Sequence, residues 1–233
     1  MKVKAIITGS TGMVGKGVLL ECLENKEVES VLVINREPVG ISHKKLKEII
    51  RTDFYDLSGI RDELAGYNAC FFCLGVSSFR MSEAKYTKIT HDLTINFAET
   101  LLELNPEMTF CYVSGTGTDS SEKGRSMWAR VKGKTENELL KMPFKSAYMF
   151  RPGYIHPMKG IKSKTRLYNA LYVVFKPLYP ILNFLFPKYV TTTVNTGKAM
   201  ISAAITGYEK KHLENEDINK LANLHYENPV EAI

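Results

Sequence analysis

The 233-residue chain has one tryptophan, four cysteines and no uninterrupted apolar run of membrane-spanning length. A bilayer span takes about 20 predominantly apolar residues, whereas the richest apolar stretch, Leu167 to Pro187, is cut by Lys176, Pro177, Pro180 and Asn183. There is no internal repeat and no low-complexity tract, which excludes solenoid and fibrous architectures. Met1-Lys2 leads directly into an apolar strand without a signal stretch, so a cytoplasmic location is expected. Four cysteines (Cys22, Cys70, Cys73 and Cys111) are too few for a disulfide scaffold. Cys70 and Cys73 form a CxxC, but it lies within Ala69-Cys70-Phe71-Phe72-Cys73-Leu74, which reads as a buried strand. Residues three apart on a strand point to opposite faces, and no second CxxC exists, so the thiols read as structural and no metal site is expected.

Acidic residues are missing from a long segment. Between Leu139 and Tyr208 there is no Asp or Glu, yet ten basic residues fall there: Lys141, Lys145, Arg151, Lys159, Lys162, Lys164, Arg166, Lys176, Lys188 and Lys198. The chain carries 31 basic and 25 acidic residues, so the remainder holds 21 basic against 25 acidic and is net −4. A basic segment on an acidic body suits an anionic cofactor or substrate, a membrane surface or nucleic acid. The basic residues are scattered and no nucleic-acid motif accompanies them, so no nucleic-acid partner is expected.

What the chain does have is Gly9-Ser10-Thr11-Gly12-Met13-Val14-Gly15, a GxxGxxG directly behind the apolar run Val3 to Ile7. Val14, Val18, Leu19, Cys22 and Leu23 follow at helical spacing, so the glycines occupy a strand-to-helix turn. Such a turn bends tightly, lets backbone approach a pyrophosphate, and aims the first N–H groups of the helix at the anion. Gly9, Ser10, Thr11, Gly12, Met13, Val14 and Gly15 are therefore expected to bind a dinucleotide.

Beyond the turn, apolar runs alternate with helical periodicity. Strands are expected at Val31 to Ile34, Lys45 to Ile50, Asn68 to Leu74, Met108 to Ser114 and Ser146 to Phe150. Helices are expected at Ile60 to Leu64, Ser82 to Asn105 and Ser126 to Lys141. This alternation predicts the α/β class, a doubly wound parallel sheet of Rossmann type with the ligand at the carboxyl ends of the strands. Past Gly153 the alternation fails, which divides the chain into a dinucleotide-binding core over 1–153 and a small, mainly helical lobe over 154–233, intertwined as one domain. Within it, Leu167 to Pro187 reads as a lid with apolar walls for a small-molecule substrate, with a peripheral membrane patch as the other reading. Thr196 to Ile205 and the residues from about Asn215 read as helices.

In dinucleotide folds the residue ending the second strand inspects the adenosine ribose: a carboxylate bonds a free 2′-hydroxyl, while arginine accommodates a 2′-phosphate. Ile34 is followed by Asn35-Arg36, with Glu37 next. Arg36 favours NADP(H); NAD(H), read by Glu37, is the alternative. Asp53 follows the third strand, where it meets adenine or caps a helix. Leu74-Gly75 ends the fourth strand, where backbone approaches the second ribose.

With Thr8 to Gly15, Phe72-Cys73-Leu74-Gly75, Val113 to Asp119, Val131 to Glu136 and Phe150-Arg151-Pro152-Gly153 in this order, the chain resembles the atypical branch of the short-chain dehydrogenase/reductase superfamily, which includes epimerase/dehydratase-like members. Within that branch it is most similar to the HTATIP2-like oxidoreductases. The resemblance implies a catalytic Ser, a Tyr, and a Lys four residues after the Tyr. It makes Ser114 and Lys132 the catalytic candidates, gives Lys132 the nicotinamide ribose, and sets Pro152 beside the cofactor. Trp128 stands where the tyrosine belongs. Indole lies on the same helical face as Lys132 but has no accessible ionisation near neutral pH.

Two readings follow. One is an oxidoreductase on a small carbonyl or alcohol whose proton comes from Tyr154, Tyr86, Ser114, Thr116, His156 or a water relay. The other is a regulator that binds NADP(H) without turning it over. A nucleotide-sugar epimerase is a further alternative within the resemblance, which also allows a homodimer.

Overall fold

The computed structural model describes residues 2–161 and 187–227. Seven parallel strands form one sheet in the order β3-β2-β1-β4-β5-β6-β9. They are β1 (Val3–Thr8), β2 (Val28–Asn35), β3 (Leu46–Ile50), β4 (Ala69–Phe72), β5 (Thr109–Val113), β6 (Ser146–Arg151) and β9 (His212–Glu214). A separate parallel pair joins β7 (Tyr154–His156) to β8 (Val190–Thr192). The first six strands have the doubly wound order, with the reversal between β1 and β4.

Parallel strands covered on both sides are apolar on both sides, and their alternation sorts the core into two layers. Ile7, Val33, Phe71 and Phe150 lie in one layer with residues of α1 (Met13–Glu24), α6 (Thr193–Thr206) and α7 (Asn215–Glu227). Ile6, Leu32, Phe72, Phe110 and Met149 lie in the other with α4 (Leu93–Leu104) and α5 (Met127–Lys141). The short α2 (Arg61–Leu64) follows a 3₁₀ turn over Ser58–Ile60. Cys70 belongs to the second layer and Cys73 packs against the first, so the CxxC thiols face opposite sides of the sheet.

Sequence periodicity predicts one helix over Ser82 to Asn105. The structure instead has α3 (Glu83–Thr87), a π-helical turn (Lys88–Asp92) and α4. The wider turn accompanies a buried His91, whose Nδ1 meets Asp92 Oδ1 and whose Nε2 meets Glu138 Oε2 of α5, each at 2.8 Å. β2 begins three residues before the predicted strand because pairing with β1 recruits Val28 and Ser30 beside Val3 and Lys4. The apolar stretch Leu167 to Pro187, with the lid and membrane readings placed on it, lies outside the described residues except for its last position.

After Gly153 the chain returns to the main sheet. β9 pairs with β6, setting Leu213 beside Phe150 and Glu214 beside Arg151, and α6 packs along α1. Three-residue strands carry no readable period, so β7, β8 and β9 escape sequence inspection. Leu213 is fully buried in the first layer. Leu213→Ala is expected to lower stability by about 3 kcal/mol, the usual loss for a buried leucine, measured as a lower urea midpoint with an unchanged slope.

Candidate functional site: a cleft at the strand reversal

The turn between β1 and α1 is held by two close backbone approaches. Gly9 has φ +69°, and a Cβ there would stand 2.7 Å from the Cys73 carbonyl oxygen and 2.8 Å from Leu74 N. A Cβ on Gly15 would overlap the Gly9 carbonyl. The turn is thus pressed onto the end of β4, and α1 onto the turn. Leu74 N also donates to Thr8 Oγ1 at 3.3 Å. The chain leaves the ends of β1 and β4 with a cleft of about 500 Å³ between them, lined by residues that include Gly12, Met13, Arg36, Leu74, Gly75 and Lys132.

The cleft suits an anion at its centre. Gly12 caps α1 without a side-chain hydrogen bond, and the first turn of α1 carries no acidic residue. A Cβ on Gly12 would meet only the Gly9 carbonyl, at 3.2 Å, so its open side is free for a ligand. Backbone donors at a helix N-terminus, bare of competing side chains, form a phosphate cradle. Of the predicted glycine-turn residues, Gly9, Thr11, Gly12, Met13, Val14 and Gly15 line the cleft. Ser10 is fully buried, and its hydroxyl donates to Asn35 Oδ1 at 3.0 Å, so it braces the turn from behind.

Toward β2, the exposed Arg36 lines the cleft. Asn35, where a ribose-reading carboxylate would stand, is buried and committed: its Nδ2 donates to Glu48 Oε1 at 2.9 Å. The same oxygen accepts Val39 N at 2.9 Å, and Lys16 Nζ, from the first turn of α1, donates to Val39 O at 3.1 Å. Glu48 and Lys16 therefore fix the loop that carries Arg36, a function invisible in either residue's local sequence. Asp53 does not line the cleft. Its Oδ1 accepts Tyr55 N at 2.8 Å and caps a turn.

Toward β5, Lys132 of α5 lines the cleft, and its Nζ donates to Ser114 O at 2.5 Å. The Tyr112 ring centroid is 5.9 Å from the same nitrogen. Burial lowers the Lys132 pKa to about 8, against an upward pull from Glu136. Cys73, Val76 and Ser77 also line the cleft. They follow directly on β4, which ends at Phe72 rather than at Leu74, so the predicted strand hid the cleft-lining character of Cys73.

Ser114 does not line the cleft. Its Oγ sits 2.5 Å from Glu136 Oε1 and 3.1 Å from Phe150 O, among buried residues. Glu136 is wholly buried and receives Arg151 through both Nε, at 3.0 Å, and Nη2. Arg151 also reaches Ser120 Oγ at 2.5 Å, and Glu214 of β9 lies 3.8 Å from its Nη1. This network joins β5, α5, β6 and β9. Pro152, at the end of β6, is buried outside the cleft, and its carbonyl accepts Thr116 N at 3.0 Å.

The other proton-donor candidates are dispersed. Tyr86 is buried, which raises its pKa. Tyr154 and His156 lie on β7, with the phenol oxygen 3.5 Å from Nδ1. Thr116 Oγ1 donates toward Arg151 O at 3.0 Å and lies 3.3 Å from Glu214 Oε2. Trp128 packs its six-membered ring against the loop after β5: a Cβ on Gly117 would touch indole Cη2 at 3.7 Å. Neither these four candidates nor Trp128 lines the cleft.

Residues 5–126 match the model of the NAD dependent epimerase/dehydratase family. The chain is 26% identical over 203 residues to Protein FMP52, mitochondrial, of Debaryomyces hansenii, covering 86% of this chain and 87% of that protein. It is 24% identical over 151 residues to Protein HTATIP2 of Rattus norvegicus, covering 64% of this chain and 61% of that one. A short chain dehydrogenase family protein from Francisella tularensis shares the fold, with a TM-score of 0.64 at 17% identity, covering 92% of this chain and 96% of the other. These likenesses bear out the resemblance to atypical short-chain dehydrogenases drawn from the sequence motifs.

A buried ion pair that loses one member leaves an uncompensated charge. Glu136→Ala strips Arg151 and Ser114 of their shared acceptor, and the expected loss is about 3 kcal/mol. Glu214→Ala, at the half-exposed end of the network, is expected to lose less than about 1 kcal/mol. Urea titration of the two variants side by side checks the difference.

Proposed function

The chain belongs to the NAD dependent epimerase/dehydratase family, and we propose that it is an NADP(H)-dependent oxidoreductase acting on a small carbonyl or alcohol. The observation that carries this reading is the placing of two cations at opposite flanks of one anion cradle. Arg36 enters the cleft from the β2 side and Lys132 from the β5 side, with the bare N-terminus of α1 between them.

On this reading the first amides of α1 hold the pyrophosphate, and the Leu74-Gly75 backbone meets a ribose. Lys132 donates to the hydroxyls of the other ribose. Arg36 presents a planar guanidinium to a 2′-phosphate, a geometry that supports bidentate, charge-assisted bonding. Asn35 supports the same preference, since an amide already bonded to Ser10 and Glu48 neither repels phosphate nor offers a carboxylate to a free 2′-hydroxyl. The nicotinamide, when bound, supplies or accepts a hydride.

A second reading, a cofactor-binding regulator without turnover, rests on Trp128. Occupancy of the cleft then matters for the shape of the protein rather than for chemistry. Absorbance at the reduced-nicotinamide band during a screen of aldehydes and ketones separates the two: steady oxidation of NADPH supports the enzyme, and tight binding without oxidation supports the regulator.

The cofactor preference has its own measurement. Native protein is expected to bind NADPH at least tenfold tighter than NADH, about 1.4 kcal/mol. Arg36→Ala removes most of that gap by weakening NADPH alone. Titration calorimetry with both cofactors decides it, and equal affinities that Arg36→Ala leaves unchanged would refute the preference.

A further inference from the structure

Among the described residues, the cleft holds few groups able to deliver a proton. Of its described lining residues, Arg36 offers a guanidinium, which serves as a fixed cation rather than a proton donor, and burial pushes the Cys73 thiol up to about 12. The hydroxyls of Thr11 and Ser77 are not acids near neutrality. Ser114, the residue that the resemblance would pair with a tyrosine, has its oxygen held between Glu136 and the Phe150 carbonyl. Trp128, in the tyrosine position, has its ring on the Gly117 loop.

We infer that Lys132 is itself the acid of this site, giving a proton to the substrate oxygen in the step that tyrosine serves in related enzymes. The inference rests on the oxidoreductase reading above. In carbonyl reduction, the substrate carbon accepts a hydride, with its electron pair, from a reduced nicotinamide dinucleotide. The carbonyl π pair moves to oxygen, and that oxygen takes one proton from Lys132 Nζ. The amine left behind regains a proton from water. Alcohol oxidation runs the same transfers backwards, with neutral Lys132 as base and the oxidised dinucleotide as acceptor.

The surroundings of Lys132 fit that duty. Its ammonium donates to the Ser114 carbonyl and lies over the Tyr112 ring, both fixed at the end of β5. Among the described residues, the charged and titratable groups facing it are Glu136, Tyr112 and Cys73. Glu136 lies one turn on along α5, with its charge matched by Arg151. Tyr112 is buried, its phenol pushed well above the usual range by loss of solvent. Cys73 lines the cleft as a neutral thiol. Desolvation therefore outweighs Glu136 and brings Lys132 close to the working pH, where an acid–base group transfers protons most effectively.

Three measurements test the inference. In protein labelled with ¹⁵N at lysine Nζ, one signal should titrate near pH 8 rather than at the ordinary value of about 10.4 and be lost in Lys132→Arg. Arginine keeps the cation but cannot release a proton, so Lys132→Arg is assayed with NADPH saturating, after its own affinity for the cofactor has been measured, because the same side chain meets the ribose. The variant should slow single-turnover reduction at pH 7 by roughly 10²- to 10⁴-fold, the usual range for a general acid. Because the acid must be protonated, native reduction should fall as pH rises past about 8, while alcohol oxidation rises over the same interval. If arginine fails to pack, Lys132→Ala with added methylammonium replaces it, and recovery of rate supports proton transfer.

Turnover that survives in Lys132→Arg, or an Nζ that titrates at the ordinary lysine value, overturns the inference alone. Native protein that binds NADPH but reduces no aldehyde or ketone overturns the oxidoreductase reading, and the inference with it.

Discussion

The approach of two backbones at the strand reversal is the constraint on which the rest of the site depends. Gly9 lies so near the end of β4 that no side chain fits between them, and Gly15 lies equally near Gly9. Glycine is required because the contact is backbone on backbone; a neighbouring side chain could relax, but a strand end cannot. The consequence is geometric. With the turn pinned to β4, the axis of α1 is set, its uncapped amides point into the cleft, and Leu74 and Gly75 form the opposite wall. The cradle is thus a product of packing rather than of any side chain reaching toward a ligand.

The flank beyond β5 is governed by a different interaction, the burial of Glu136. A carboxylate with no exposed surface must be compensated, and here the partners come from three other segments: Arg151 of β6, Ser114 at the end of β5 and, at 3.5 Å, His212 of β9. Satisfying that charge fixes α5 against the sheet and occupies the Ser114 oxygen. Lys132, four residues earlier on the same helical face, is left projecting into the cleft. Structure and chemistry compete for the same residues along α5, and the buried acid has taken Ser114.

Much of this was legible in the sequence. The glycine spacing, the six strands of the core and Arg36 follow from periodicity and from residue types that admit few roles, whereas Lys132 was marked by the resemblance to short-chain dehydrogenases. Roles that depend on distant partners were not legible. Ser10, Asp53 and Ser114 are polar residues at suitable positions, and each could have faced a ligand. Each instead satisfies a nearby donor or acceptor, because a polar group deprived of water takes the partner that packing supplies. Asn35 and Glu48 make the same point in reverse, since their pairing stiffens the Arg36 loop although thirteen residues separate them. The terminal strand β9 was hidden for another reason: its three residues are strand because β6 offers a free edge, not because their pattern demands it.

The uneven charge along the chain also acquires an internal account. Six of the ten basic residues between Leu139 and Tyr208 are described, and Arg151, Lys159 and Lys188 among them meet acids from outside that segment. Arg151 meets Glu136 and Glu214, Lys188 lies 3.9 Å from Glu216, and Lys159 reaches both Glu21 and Glu24 at 2.6 Å. The basic segment and the acidic body are thus partly complementary halves of one molecule. The Lys159 pairs are the most consequential, because Glu21 is buried on α1 where α6 crosses it: a Cβ on Gly197 would stand 2.7 Å from Glu21 Cγ. The helix that presents its N-terminus to an anion therefore has its other end clamped by the chain that follows β7. A ligand drawn into the cradle pulls on a helix held at both ends, and that rigidity keeps its amides aimed before the ligand arrives.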